Sequence, residues 1–157
     1  LQVEYLQKAD PDFKRNLSTV EGAGQLSYCY QCSACVAECP SAQHCPGFNP
    51  REIVLASLLG VAGYLTEKDS VIWQCTTCYK CYERCPQGTH PVEVVTALKN
   101  IAFEAGNAPD DVVSLRETVK EQGTIIVPSH AIEKRRAELG LEKAPSVPPG
   151  ELKKLLG

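Results

Sequence analysis

The 157-residue sequence contains no methionine, a single tryptophan and only three phenylalanines. It starts at Leu1, so an initiator or a longer leader is expected to lie outside it. No stretch approaches the ~20 apolar residues of a membrane helix. The longest apolar region, Ile53 to Ala62, is broken by Ser57 and Gly60. Direct membrane insertion is therefore not expected, and no secretory signal is visible. Basic residues never build a stripe. The longest run is Lys134-Arg135-Arg136, read as a solvated helix face, and the formal net charge is −3, so nothing points to nucleic acid. There is no G-x-G-x-x-G, no phosphate loop and no nucleophile–base constellation, so no substrate site of its own is expected.

Cysteine is what the chain does have. Eight of its nine cysteines write one pattern twice. The first copy is Cys29, Cys32, Cys35, Cys39 and Pro40; the second is Cys75, Cys78, Cys81, Cys85 and Pro86. Both read C-x2-C-x2-C-x3-C-P, a known iron–sulfur ligation run. Three thiolates spaced in this way can wrap a short loop around three corners of a cubane, with backbone N–H groups turned toward its sulfides. The fourth ligand must come from elsewhere, and in two-cluster ferredoxins the fourth cysteine of each run serves the other cluster. Two [4Fe–4S] clusters are therefore expected. Cys29, Cys32, Cys35 and Cys85 hold one, and Cys75, Cys78, Cys81 and Cys39 hold the second. Pro40 and Pro86, with fixed φ and no donor, are expected to turn the chain away after each run.

Other uses of cysteine fit less well. Consecutive C-x2-C-x2-C triplets have poor geometry for mutual disulfides, and nine is an odd number. Zinc usually takes two separated C-x2-C or Cys/His pairs. A thioredoxin-type C-x2-C needs no eight cysteines. Cluster thiolates suit a reducing interior, so a cytoplasmic location is expected.

The remaining sequence reads as helices. A short one is expected near Phe13 to Leu17, and Ser41 to Phe48 reads as a loop. Asn49 as cap, Pro50 at the first helical position and Glu52 three residues after Asn49 predict a helix running to about Gly63. Its apolar residues go nearly all round, which predicts burial on several sides, in the protein's own core or, as the alternative, partly against a partner subunit. Thr66 to Ile72 predicts a short helix. Thr89, His90 and Pro91 announce a third, with Val95, Leu98, Ala102 and Ala105 at helical spacing and Gly106 closing it. Asp110 or Asp111 is expected to cap a further helix, with Val112, Leu115 and Val119 on one face and Gly123 beyond its end. Thr124 to Val127 is a β-prone piece, and Ser129 opens a weaker helix toward Gly140. The domain plan is a partner-facing extension over 1–25, a cluster-binding domain over 26–107, additional helices over 108–142, and a Pro-rich linker with a docking tail over 143–157. That tail carries Leu152, Leu155 and Leu156.

The wording between the cysteines narrows the reading. The second run, CTTCYKCYERCP, resembles the C subunit of heterodisulfide reductase, and the first, QCSACVAECPS followed by the NPREIV helix start, is similar to the same family. The resemblance covers about Tyr28 to Gly106. It implies an all-α fold, the α-helical ferredoxin, with two cubane clusters held by the eight cysteines named above. It also implies a relay between two other subunits of heterodisulfide reductase. Electrons come from one that is rich in flavin and iron–sulfur clusters and pass to a catalytic one. In methanogens, the catalytic subunit reduces the mixed disulfide of coenzyme M and coenzyme B. In soluble complexes this is coupled to ferredoxin reduction by electron bifurcation, with a hydrogenase or formate dehydrogenase as indirect partner. Rival readings are a sulfur-oxidising heterodisulfide reductase-like system, the iron–sulfur subunit of anaerobic glycerol-3-phosphate dehydrogenase, and a zinc-stabilised interaction module.

Residues around the runs carry further expectations. Tyr28, Tyr30, Tyr79, Tyr82 and Trp73 are expected to shield the cubanes from water. Lys80 and Arg84 are candidate cations that ease reduction, or else they face solvent or a partner's acids. Cys45, outside both runs, reads as a passive thiol packed as a small hydrophobe. His44, His90 and His130 do not fit ligand spacing, and His90 is read as a helix-start residue.

Overall fold

The structure is a computed structural model that describes residues 3–156, apart from the side chains of Val3, Tyr5, Pro149, Lys153, Leu155 and Leu156. The docking role expected of Leu155 and Leu156 falls on side chains outside the described residues. Among the described residues every regular element is helical and none is a strand, as the all-α reading expected. The chain divides into two compact units, Leu1–Ala108 and Pro109–Gly157.

The first unit is built from one theme used twice. A single 3-10 turn, Leu26–Tyr28, leads into the first cysteine run, and a second, Val71–Gln74, leads into the other. Inside each run a short helix follows the second cysteine: α3, Ala34–Ala37, and α7, Lys80–Glu83. After each run a proline-started helix returns: α5, Pro50–Leu58, and α8, Pro91–Glu104. Leu26 and Ile72 occupy matching places in the two turns and are fully buried. They anchor both runs to one core with Leu17, Ile53, Val54, Leu65, Val94 and Leu98. Each of these large side chains contributes about 1.5–3 kcal/mol of burial. Phe13 and Leu17 come from α2, Pro11–Ser18, the short helix expected there, so the N-terminal stretch is folded into this core. The remaining small helix before α2 is α1, Val3–Leu6.

Three sequence expectations for this unit change. Pro40 does not open a loop; it starts α4, Pro40–His44. Missing a donor costs nothing at a helix's first position. The buried Ser41 hydroxyl of α4 then donates to the Gln74 carbonyl at 2.7 Å, tying this helix to the turn before the second run. Next, the helix capped by Asn49 stops at Leu58, not Gly63. Asn49 Oδ1 accepts from the Arg51 and Glu52 amides at 3.0 and 3.3 Å, as the capping residues predict. At the far end Gly60 adopts φ +73, and the Val61 amide reaches back to the Ala56 carbonyl at 2.9 Å, which terminates the helix. Gly60 also accepts from the Asp10 amide at 2.8 Å, so closely that a side chain there would collide with the Asp10 carbonyl. Finally, the helix expected over Thr66–Ile72 is displaced. α6 covers Ala62–Thr66, and the chain then turns through Val71–Gln74.

Ile53, Val54, Ala56 and Ser57 of α5 are buried within the unit, while Leu59 just beyond the helix stays 47% exposed. The apolar surround of this helix is thus mostly spent on the unit's own core.

The second unit holds α9, Asp110–Gln122, α10, His130–Glu138, and α11, Pro149–Leu156. The N-cap of α9 is Pro109, not an aspartate; Asp110 and Asp111 sit in the first turn, where their charge favours the helix N-terminus. Ser129 caps α10 as expected, accepting from the Ile132 amide. The β-prone Thr124–Val127 forms no strand. Ile125, Ile126 and Val127 are exposed, because an isolated strand has no ladder to join. Gly123, at φ +71, lies against the Val147 backbone and accepts its amide at 3.1 Å.

Candidate metal centre

The two cysteine runs have the same unusual backbone. Gln31 and Ser33 flank Cys32 with φ of 58 and 69, and Thr77 and Tyr79 flank Cys78 with φ of 53 and 60. A non-glycine residue in the left-handed region costs about 1–3 kcal/mol. Four such residues at matching places in two runs point to a shape both runs require. Alternating left- and right-handed residues turn successive N–H groups into one concavity, a nest suited to an anionic group such as an iron–sulfur cluster.

Beside each of these turned runs lies a recess lined by four thiols. The first recess, about 330 Å³ with open solvent included, is lined by Cys29, Cys32 and Cys35 of the first run and Cys85 of the second. The other, about 350 Å³, is lined by Cys75, Cys78 and Cys81 of the second run and Cys39 of the first. Cys39 is 8% exposed, whereas Cys32 and Cys78 stand at the open edge of their recesses. Among the described residues no three Cys, His, Asp or Glu groups are arranged to hold a single metal ion. A mononuclear zinc needs its sulfurs about 2.3 Å from one point; here the thiols stand around a space. The donor set, the nests and the recesses fit a cubane cluster.

The thiols also influence one another. Burial pushes Cys35 up to about 12, with the Cys81 and Cys29 thiolates adding to the rise. Burial likewise pushes Cys81 up to about 11, opposed by the Val92 amide and assisted by Cys75, Cys39 and Cys78. Clustered thiols ionise reluctantly together, and iron cations would supply the compensating charge. Cys85 behaves differently. Burial raises its pKa, but the amides of His90, Gln87 and Thr89 outweigh this, and the thiol titrates below its ordinary value. The Thr89 amide lies 3.3 Å from the Cys85 sulfur. The buried Thr89 hydroxyl lacks a well-aligned hydrogen bond, yet it too favours the thiolate. In the first run, Gln31 Nε2 donates to the Cys29 sulfur at 3.3 Å. Hydrogen bonds to ligating sulfur are one of the factors that set a cluster's potential.

The aromatic shield is only partly realised. Tyr30 lines the first recess and Tyr79 the second, but both remain exposed, Tyr30 at 72%, and Tyr28 stands in solvent. Tyr82 instead stacks on His90, with ring centroids 3.7 Å apart and planes 13° apart. His90 Nδ1 lies 3.2 Å from the Tyr82 carbonyl; a carbonyl only accepts, so this nitrogen carries the proton. His90 itself sits at the N-cap of α8 with φ 50, the helix-start place expected for it. Trp73 is half-buried against the core.

The charges are distributed differently from the sequence reading. Lys80 lines the second recess. Arg84 finds an acid within its own chain: its Nη2 meets Glu38 Oε1 at 2.6 Å. Glu38 and Arg84 each precede the fourth cysteine of their run, so the pair joins the two runs at matching points. At 46% and 61% exposure it contributes at most about 1 kcal/mol. Sequence inspection missed Arg51, which lines the first recess, and Lys99, which reaches the Cys75 carbonyl. Both lie on helices outside the cysteine runs, where a lone cation carries no signal. Cys45 is half-buried and packs against the core, with its amide donating to the Ser41 carbonyl at 2.8 Å. Among the described residues no helix is long and apolar enough to cross a membrane.

Comparison with known proteins follows the same lines. Residues 25–89 match the family model of the 4Fe-4S dicluster domain. The chain is 36% identical over 121 residues to the C2 subunit of the H(2)/formate:CoB-CoM heterodisulfide,ferredoxin reductase of Methanococcus maripaludis, an overlap of 76% of this chain and 64% of that protein. It is 35% identical over 129 residues to the C subunit of the ferredoxin/F(420)H(2)-dependent CoB-CoM heterodisulfide reductase of Methanosarcina acetivorans, covering 82% and 78% of the two chains. It is 32% identical over 143 residues to the iron-sulfur C subunit of the CoB--CoM heterodisulfide reductase of Methanopyrus kandleri, covering 87% and 73%. The chain thus spans less than two thirds of the Methanococcus relative and more than two thirds of the other two. With its doubled cysteine run, all-helical scaffold and these relatives, the chain belongs to the family of heterodisulfide reductase C subunits, the iron–sulfur subunits of an oxidoreductase complex.

Proposed function

We propose that this chain is an electron-transfer subunit holding two [4Fe–4S] clusters with crossed ligation. Cys29, Cys32, Cys35 and Cys85 hold one; Cys75, Cys78, Cys81 and Cys39 hold the other. The observation that carries this reading is the composition of the two recesses, each lined by three thiols of one run and the fourth thiol of the other. When bound, the clusters supply one-electron carriers. The chain's own residues do the rest. The left-handed residues around Cys32 and Cys78 turn amides inward. The Gln31 side chain and the Thr89 amide donate to ligating sulfurs, and Phe48, Val92 and Val95 keep one wall of the second recess apolar.

The partners follow from the family. The chain takes single electrons from the flavin-containing subunit of heterodisulfide reductase. It passes them to the catalytic subunit, which reduces the coenzyme M–coenzyme B heterodisulfide. A hydrogenase or formate dehydrogenase acts upstream, in the manner of a bifurcating complex. The disulfide chemistry belongs to the catalytic subunit, and this chain has no active site of its own. A reducing, cytoplasmic setting suits eight ligating thiolates.

The test is anaerobic isolation of the native complex with metal and sulfide analysis of this chain. Iron and acid-labile sulfide in equal amounts are expected, with the flavin-containing and catalytic subunits co-purifying. Zinc without sulfide would overturn the cluster assignment. A flavoprotein glycerol-phosphate dehydrogenase in place of those two subunits would overturn the choice of complex.

A further inference from the structure

The two halves of the first unit match in backbone but not in charge. Lys99, on α8, is half-buried and makes no ion pair among the described residues. Its Nζ donates to the backbone carbonyl of Cys75 at 3.2 Å and lies 5.8 Å from the centre of the Trp73 ring. A carbonyl and an aromatic face hold an ammonium in place without neutralising it. A charge drawn out of water favours an anionic partner. The first half has no such arrangement. Ser27 stands where Trp73 does in the turn before the run, and Leu58 takes the place of Lys99 on the returning helix.

We propose that Lys99, held by Trp73, is the positioning cation of the Cys75–Cys78–Cys81–Cys39 site, and that it makes the two clusters electrically inequivalent by favouring the reduced state of that one. This rests on the cluster assignment above. The cluster with its four thiolates is the anion that the unpaired ammonium lacks. Reduction adds one negative charge, so a fixed cation beside the Cys75 backbone stabilises the reduced form more than the oxidised one. Lys80 also lines this recess, but its side chain is exposed and mobile counterions compete with it. Lys99 is half-buried and fixed between the Cys75 carbonyl and the Trp73 ring, so its influence persists in salt where that of the exposed Lys80 fades. On the other side Arg51 lines the first recess, with Glu52 Oε1 3.9 Å from its guanidinium to offset part of its charge.

The test is a redox titration of the clustered protein followed by cluster-resolved EPR, with Lys99→Met, Lys99→Arg and Lys80→Gln beside the parent. Lys99→Met keeps the packing on Trp73 and removes the charge. It is expected to change the reduced-to-oxidised ratio of one cluster by about tenfold at fixed potential, a downward shift of about 59 mV for one electron. The other cluster should stay where it was, and Lys99→Arg should restore the parent value. The Lys99 shift should survive ~1 M salt, while any Lys80→Gln shift collapses. If Lys99→Met costs the protein its second cluster, Trp73→Phe carries the test by freeing the ammonium into solvent, with the same downward shift expected. Intact clusters whose potentials do not move, or move equally, overturn the proposal. Absence of iron and sulfide from the parent protein would instead overturn the cluster assignment on which it stands.

Discussion

Replacing Cys39 by alanine is expected to remove the cluster held mainly by the other cysteine run. Cys39 belongs to the first run in sequence, yet its side chain lines the recess of Cys75, Cys78 and Cys81. It is 8% exposed, so the substitution deletes one buried sulfur and leaves a small void. Such a void costs about 1 kcal/mol, against about 5–15 kcal/mol for a typical domain. The fold should therefore survive, and a loss of metal reports ligation. Iron should fall from about eight to about four atoms per chain, the content of a single remaining cubane. The assay is iron and sulfide quantification after anaerobic reconstitution, with helix content followed by circular dichroism and each cluster followed by EPR. The mirror variant, Cys85→Ala, should spare the second-recess cluster and remove the one beside Cys29, Cys32 and Cys35. Loss in Cys39→Ala confined to the first-run cluster would refute crossed ligation. Loss of helix content together with both clusters would refute the claim that the site is separable from the core.

Other outcomes follow from the same geometry. Cys45→Ser should leave iron and sulfide content unchanged, since Cys45 lines neither thiol recess; a stoichiometric loss of iron would make it a ligand. Gly60→Ala should destabilise the first unit by about 2 kcal/mol or more, read as a lower denaturation midpoint, because φ +73 is strained for alanine and its Cβ would strike the Asp10 carbonyl. In the metal-free chain, alkylation at rising pH should reach Cys85 before Cys81 and Cys35, resolved by peptide mapping. The raised thiols bind their protons more tightly in the folded state. Their contribution to stability is therefore whole below the ordinary value of 9.0 and lost as pH rises toward about 11 and 12, so the metal-free melting temperature should fall over that window.

Several elements were legible in local sequence because local chemistry makes them. Asn49 and Pro50 start α5, His90 and Pro91 start α8, and Ser129 caps α10, each through groups within a few residues. The errors lie where a contact from elsewhere intervenes. The helix expected to reach Gly63 ends at Leu58 where Gly60 turns left-handed and packs against Asp10. The loop expected after Pro40 is a helix pinned by Ser41 to Gln74. Of the tyrosines expected to cover the cubanes, Tyr30 and Tyr79 line the rims of the recesses but stay exposed, Tyr28 stands in solvent, and Tyr82 turns onto His90.

The sequence by itself determined the kind of chemistry. Thiols three residues apart, twice over, are a covalent fact, and their spacing alone selects a cluster over a disulfide or a zinc ion. The wording between them determined the family. The crossed grouping of the thiols was already legible in the doubled run; only the tertiary structure decided where Arg84 finds its acid, that Arg51 lines the first recess, and that Lys99 stands beside Cys75. Those pairings join residues far apart along the chain. They exist only once the shared core brings the two halves together, and no local window of sequence contains them.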